Sequence, residues 1–201
     1  MNETKQLVII GAGGHGKVCA DIAQKQGYEA VLFLDDALSV GVTGKVSAYT
    51  QYLDTADFFV AIGNNGIREK ITMELISQKA RMATLIHPSA VVAESATIGR
   101  GTVVVAGAVI NPDAKIGEGV IVNTCASVDH DCVIGDYAHV AVGARICGTV
   151  TVGKRTWIGA GATVINNVSV CADCIIGAGA VVTGDCKEAG IYVGVPAKRV
   201  K

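Results

Sequence analysis

The sequence predicts an α/β domain with a parallel sheet, followed by a parallel β-helix. Ile or Val occupies every sixth position from Ile86 to Val182 without interruption. A second series, made only of Ala, Val, Thr and Cys, lies four places after each of these residues and runs from Ala90 to Cys186. Before this repeat, apolar runs alternate with turn residues and helical patterns, which is typical of a parallel α/β sheet.

Composition excludes several classes of protein. Of the 201 residues, 50% are hydrophobic and 17% are charged, which excludes a disordered chain. The net charge of −1 offers no cationic excess for nucleic acid. We expect neither a signal peptide nor membrane insertion, because no apolar run is long enough. Seven cysteines, an odd number, favour reduced thiols and a cytoplasmic protein.

Residues 1–84 are predicted to form the α/β domain, a Rossmann-like half. Apolar runs indicate the strands, and apolar residues at four-residue spacing indicate the second helix. The predicted elements are strand 7–10, helix 17–26, strand 30–34, strand 58–62, a helix carrying Ile67, Ile71 and Leu75, and a short strand at 82–86.

Gly11, Gly13 and Gly16 follow the first strand and open the first helix in a G-x-G-x-x-G pattern. Such glycines allow the backbone to approach a pyrophosphate at the N-terminus of a helix. A domain of this length is only half of a full dinucleotide fold. It therefore favours a nucleotide diphosphate sugar, with NAD as the alternative.

Residues 85–187 are predicted to form the β-helix, and residues 188–201 its closing segment. A period of six matches neither an α-helix nor a hairpin sheet, but it matches a coil of three short strands in 18 residues. Ile and Val then fill the interior, and a small residue lies at each corner.

These repeats and the closing segment Gly194–Lys198 resemble the left-handed β-helix sugar O- and N-acetyltransferases, the hexapeptide-repeat family. Within it, the chain is most similar to enzymes of the UDP-N-acetylbacillosamine type, which acetylate UDP-linked 4-amino sugars. The resemblance implies acetyl-CoA as the donor, a UDP-amino-sugar as the acceptor, and a homotrimer with sites between neighbouring subunits. Acceptors on dTDP, O-acetylation of sialic acid and a noncatalytic nucleotide-binding scaffold stay open as alternatives.

The resemblance also implies roles for residues of the α/β domain. They follow the first three predicted strands, where Asp, Asn and Gly are also common in ordinary turns. They are Gly13, Gly14 and His15 under the diphosphate, Asp35 and Asp36 at the uridine, and Gly63 and Asn64 at the border of the same crevice.

In the β-helix, the resemblance makes His130 the general base, with Asp131 or Asp129 supporting its ring. His139 would contact the thioester end of acetyl-CoA from the adjoining subunit. Nine residues separate the two histidines, which is half a coil, so they should lie on different faces of one chain. The resemblance further implies that Ala160 and Ala178 bind acetyl-CoA.

The cysteines predict packing rather than chemistry. Cys171 and Cys174 form a C-x-x-C, but no second C-x-x-C and no nearby histidine completes a zinc site. We therefore expect no metal. A covalent relay through Cys125 is an alternative that direct attack of an amine on the thioester does not need.

Overall fold

The computed structural model describes residues 5–37 and 40–201. Its first part is an α/β domain with a four-stranded parallel sheet, as the sequence predicts. The strand order is β2-β1-β3-β4. Its elements are strand β1 (Gln6–Ile10), helix α1 (Gly14–Lys25), strand β2 (Ala30–Leu34), a 3-10 helix (Val46–Tyr52), strand β3 (Asp57–Val60), helix α2 (Asn65–Ser77) and strand β4 (Arg81–Met82).

The predicted strand at 82–86 is divided between two sheets. β4 ends at Met82 and pairs with β3, whereas Leu85 already pairs with Val103 in the β-helix. The 3-10 helix was not predicted, and α1 begins three residues earlier than expected, at Gly14. Within the described ranges, no helix is long and apolar enough to cross a membrane.

The second part is a left-handed parallel β-helix with three faces. Neighbouring parallel strands within the coils are 18 residues apart, for example Lys115 and Val133. Face one is formed by Leu85–Ile86, Val103–Val104, Ile121–Val122, His139–Val140, Trp157–Ile158, Ile175–Ile176, Ile191–Val193 and the antiparallel Lys198–Arg199. Face two is formed by Val91–Val92, Val109–Ile110, Ser127–Val128, Arg145–Ile146, Thr163–Val164 and Val181–Val182. Face three is formed by Thr97–Ile98, Lys115–Ile116, Val133–Ile134, Thr151–Val152 and Ser169–Val170.

Both six-residue series line the interior of this prism, as predicted. Ile110 and Val128 of the first series and Ala126 and Cys132 of the second are fully buried. Removing this apolar surface from water is the main stabilising term for a β-helix whose strands are only two residues long.

The α/β domain packs on the first coils of face one. Leu7 of β1 and Ile22 of α1 belong to the same buried cluster as Leu85, Val103 and Ile121, which point outward from face one. The α/β domain does not cover the outward side chains farther along face one. An open surface of the β-helix therefore lies next to the α/β domain.

Candidate functional site

A glycine-rich loop joins β1 to α1. Gly11 has a φ of 104°, and a Cβ at Gly16 would lie 2.2 Å from the Gly11 carbonyl oxygen, so both positions need glycine. Gly13 is the N-cap of α1 and provides no side-chain acceptor. Gly13 and Gly14 are exposed, and the first N–H groups of the helix suit an anionic group such as a phosphate.

The Asp35 carboxylate braces this loop. It accepts hydrogen bonds from the backbone N–H groups of Ala12 at 2.8 Å and Ala37 at 2.9 Å, and these bonds lower its pKa. Asp36 accepts the N–H of Val46 at 3.1 Å. Both aspartates therefore have partners within the chain, and their contact with a uridine stays a prediction.

His15 lies in the first turn of α1, with Nε2 3.7 Å from the Cys19 sulfur. Burial, and secondly the positive charge of Arg68, lower the pKa of His15 to about 4. The ring is therefore neutral at pH 7 and can offer a diphosphate an N–H donor but no positive charge.

The third predicted group, Gly63 and Asn64, follows β3. β3 pairs with β1 on the side opposite β2, so the order in which strands are added to the sheet reverses between β1 and β3. Open parallel sheets bind ligands at such a point. The Asn64 side chain accepts the N–H of Ile67 at 3.0 Å and caps α2. The structure thus brings the three groups of predicted binding residues to one edge of the sheet.

A groove of about 620 Å³ separates the start of α2 from face one. Trp157 and Ile175 of face one are 45% and 40% exposed there. The lining residues are Gly63, Asn64, Asn65 and Gly66 on one side and His139, Arg155, Trp157, Asp173, Cys174 and Ile175 on the other.

His139 lies in this groove, with its ring stacked on Trp157 at a centroid distance of 6.1 Å. Its Nε2 is 3.1 Å from Nδ2 of Asn123, which can only donate, so Nε2 accepts and Nδ1 carries the hydrogen. Burial, then Arg68 and His15, lower the pKa of His139 to about 3. Its contact with acetyl-CoA stays a prediction.

His130 and Asp131 occupy an exposed corner after face two. Nδ1 of His130 lies 2.8 Å from Oδ2 of Asp131, and this hydrogen bond raises the pKa of the imidazole. Because Nδ1 is engaged, Nε2 is the nitrogen left to take a proton from a ligand. His139 lies on face one, so one chain keeps the two histidines apart, as their half-coil spacing predicts.

The two aspartates beside His130 have different partners. Asp131 contacts the ring, whereas Oδ1 of Asp129 accepts from Nδ2 of Asn111 at 2.7 Å and from the backbone N–H of His130 at 2.8 Å. The ring partner that the sequence left open is therefore Asp131, and Asp129 holds the backbone.

Ala160 and Ala178 are exposed and lie one coil apart, with the Gly179 N–H donating to the Ala160 carbonyl at 2.9 Å. Their contact with acetyl-CoA stays a prediction.

The sulfurs of Cys171 and Cys174 are 3.4 Å apart, and both thiols are free. In residues 5–37 and 40–201, no group of three or more His, Cys, Asp or Glu side chains could hold a metal ion.

Sequence reasoning missed Arg68 and Trp157. The apolar spacing on α2 predicts that Ile67 faces the core, but Ile67 is 50% exposed and Arg68 is buried beside Thr72 and Leu75. Nothing in the local pattern marks a buried arginine. Trp157 could have been found from the sequence, because it lies 18 residues after His139 and so occupies the same position one coil farther on.

Two families match this chain. The PglD N-terminal domain matches residues 6–75, and the bacterial transferase hexapeptide (six repeats) matches residues 149–184. A curated relative, UDP-N-acetylbacillosamine N-acetyltransferase of Bacillus subtilis (strain 168), is 36% identical over 112 residues. The match covers 51% of this chain and 52% of that relative, about half the length of each.

Solved structures match nearly the whole chain. The acetyltransferase domain of PglB from Neisseria gonorrhoeae FA1090, in complex with acetyl coenzyme A, is 39% identical with a TM-score of 0.95, over 98% of this chain and 100% of that one. PerB from Caulobacter crescentus, in complex with CoA and GDP-perosamine, is 39% identical with a TM-score of 0.92, over 98% and 97%.

Proposed function

Since this chain belongs to the hexapeptide-repeat sugar acetyltransferases that carry a PglD-type N-terminal domain, we propose that it transfers an acetyl group from acetyl-CoA to the 4-amino group of a nucleotide-linked amino sugar. The observation that carries the proposal is the exposed pair of His130 and Asp131 on a prism edge. The glycine loop and the crevice after β3 supply a place for the nucleotide diphosphate.

In this proposal His130 is the general base. The neutral sugar amine attacks the thioester carbonyl carbon, and the amine proton passes to Nε2 of His130. The tetrahedral intermediate then collapses, the C–S bond breaks, and CoA leaves as a thiolate that takes up a proton. Asp131 holds the ring so that Nε2 faces the substrate, and its carboxylate stabilises the imidazolium that forms.

The base of the nucleotide has two candidates. UDP is supported by the Bacillus subtilis relative, whose name specifies a UDP-linked sugar. GDP is supported by PerB, which was solved with GDP-perosamine. In either case, we propose that Asp35 and Asp36 border the base, while the exposed backbone at Gly13 and Gly14 receives the diphosphate.

We propose that the working unit is a homotrimer, in which His139, Ala160 and Ala178 contribute to an acetyl-CoA site between subunits. Exposed apolar side chains on the prism, such as Val142 at 50%, support burial against another copy. Light scattering should give about three times the 20.6 kDa of one chain. A fully active monomer would contradict this assembly.

The acetyl transfer is tested with acetyl-CoA and a panel of UDP-, dTDP- and GDP-linked 4-amino sugars and free sialic acid, with release of the CoA thiol as the readout. We expect turnover with a UDP- or GDP-linked amino sugar and none with sialic acid. If the protein bound a nucleotide-sugar but neither bound acetyl-CoA nor showed turnover, a noncatalytic scaffold would be favoured instead.

A further inference from the structure

The guanidinium of Arg68 is buried between the α/β domain and the β-helix, with only 1% of the residue exposed. On the side of the α/β domain, Nη1 donates to the carbonyls of Ile62 at 2.9 Å and Gly63 at 3.2 Å, and Nη2 donates to Oδ1 of Asn65 at 2.9 Å. Arg68 thus holds the loop that follows β3, where the border of the nucleotide crevice lies.

On the side of the β-helix, Nε donates to the carbonyl of Gly119 at 2.7 Å, and Nη2 donates to the carbonyls of Tyr137 at 2.6 Å and Ala138 at 3.3 Å. Ala138 directly precedes His139. Within the described part of the chain, all of these acceptors are uncharged oxygens, so the cation is stabilised by carbonyl dipoles and not by a carboxylate. Removing one partner from such a buried network leaves the others unsatisfied.

The charge of Arg68 also acts on two half-buried histidines. It is the second cause, after burial, of the lowered pKa of both His15 and His139. Other titratable groups near this cluster are the Cys19 thiol beside His15, the Tyr137 phenol, which interacts with Arg68, and Arg155 and Asp173, which line the groove with His139. With Arg68 present, one fixed cation therefore acts on two neutral imidazoles.

We propose that Arg68 is a positioning residue that fixes the Gly63–Asn64 loop on the coil carrying His139, and so sets where a nucleotide-sugar held by the α/β domain lies on the β-helix. This inference rests on the proposed function for its substrate. A planar guanidinium suits the task because its donors form a rigid fork, so one group holds both sides in a single geometry.

Glu69 offers a matched control. It is the next residue on α2 and also connects α2 to the β-helix, because its carboxylate pairs with Lys154 and with Nη1 of Arg155 at 2.9 Å. These ion pairs are partly exposed. In the described part of the chain, their side chains form no hydrogen bond with Gly63 or Asn64, although the Arg155 carbonyl accepts from Nδ2 of Asn65 at 2.7 Å. A purely structural role for contacts between the two parts predicts similar effects at Glu69 and Arg68, whereas positioning predicts an effect at Arg68 alone.

The kinetic test compares Arg68→Met, Arg68→Lys and Glu69→Gln. In Arg68→Met, we expect KM for the nucleotide-sugar to rise on the order of 10-fold or more while KM for acetyl-CoA changes less than about twofold. Arg68→Lys should be intermediate, because an ammonium keeps the charge but not the fork, and Glu69→Gln should stay within about twofold of wild type. A nucleotide-sugar KM unchanged in Arg68→Met, or equal changes in both KM values, would overturn the proposal. If Arg68→Met does not fold, the same criteria apply to Arg68→Lys.

The second readout needs no turnover. In NMR titrations of the unliganded protein, His15 and His139 should stay neutral far below pH 6.5 in wild type and Glu69→Gln, and their midpoints should rise in Arg68→Met. Unmoved midpoints would show that the charge of Arg68 does not act on the two histidines.

If wild type acetylates no sugar, the proposed function fails. Calorimetric titration of wild type and Arg68→Met with UDP and with GDP then tests the role of Arg68 independently. A weaker Kd in Arg68→Met supports positioning, and an unchanged Kd or no binding to wild type overturns it.

Discussion

Gly148 has no side chain and so leaves room for the His130 ring. Adding one methyl group at this position should reduce acetyl transfer. Gly148 lies one coil after His130, and a Cβ built on it would be 2.6 Å from Nε2 and 2.7 Å from Cε1 of His130. Ordinary contacts between such atoms are about 3.5–4.0 Å, so the ring must move by about 1 Å. The movement displaces Nε2, which we propose takes the substrate proton, and strains the 2.8 Å hydrogen bond to Asp131.

A misplacement of about 1 Å can lower a rate about 100-fold, which corresponds to about 2.7 kcal/mol of transition-state stabilisation. We expect Gly148→Ala to lower kcat by this order with little change in thermal stability, because the His130 side chain is exposed and can move into water. The assay follows release of the CoA thiol at saturating substrates, with thermal unfolding measured in parallel.

Gly184 provides the control, since it lies at the same corner two coils farther on and a Cβ there meets no atom of the described residues within 4 Å. Gly184→Ala should keep wild-type kcat and stability. If Gly148→Ala also kept kcat within about threefold, the position of the His130 ring would not govern the rate, and its role as general base would be refuted.

Three further predictions concern the proposed site. His130→Ala should lower kcat by roughly 10²- to 10⁴-fold, and the limb of kcat/KM that rises with pH should disappear from the pH profile. Asp131→Asn should shift the midpoint of that limb to lower pH, because the Asp131 carboxylate raises the pKa of His130 above 6.5; an unchanged midpoint would argue against their pairing. Asp35→Ala should weaken nucleotide-sugar binding in calorimetry without changing acetyl-CoA affinity, since the glycine loop loses the acceptor for the Ala12 N–H. Equal losses for both ligands would contradict separate sites.

A fifth prediction concerns stability and pH. The folded-state pKa of His15 is about 4, below its ordinary value, so neutral His15 stabilises the fold above pH 6.5 and this stabilisation is lost as the pH falls toward 4. His15→Gln should therefore flatten the fall in the free energy of unfolding over this range in denaturant titrations. A slope equal to that of wild type would show that His15 does not titrate differently on unfolding.

The amino-acid sequence by itself determined the β-helix, because its pattern is local. A strand of two residues and a corner recur every six residues, so the side chains that face the interior, such as Ile110 and Val128, follow from counting alone. The crevice also followed from sequence, since the carboxyl ends of parallel strands meet at one edge and place Gly13, Asp35 and Gly63 together.

The tertiary structure alone decided the electrostatics of the site, because burial depends on surfaces that are distant along the chain. Arg68 is buried by carbonyls 51 and 69 residues away, at Gly119 and Tyr137, and no pattern on α2 encodes them. The neutral state of His15 follows from the same packing. The structure also decided that Asp131 contacts the ring, because the Asp129 carboxylate is already held by Asn111 and the backbone N–H of His130.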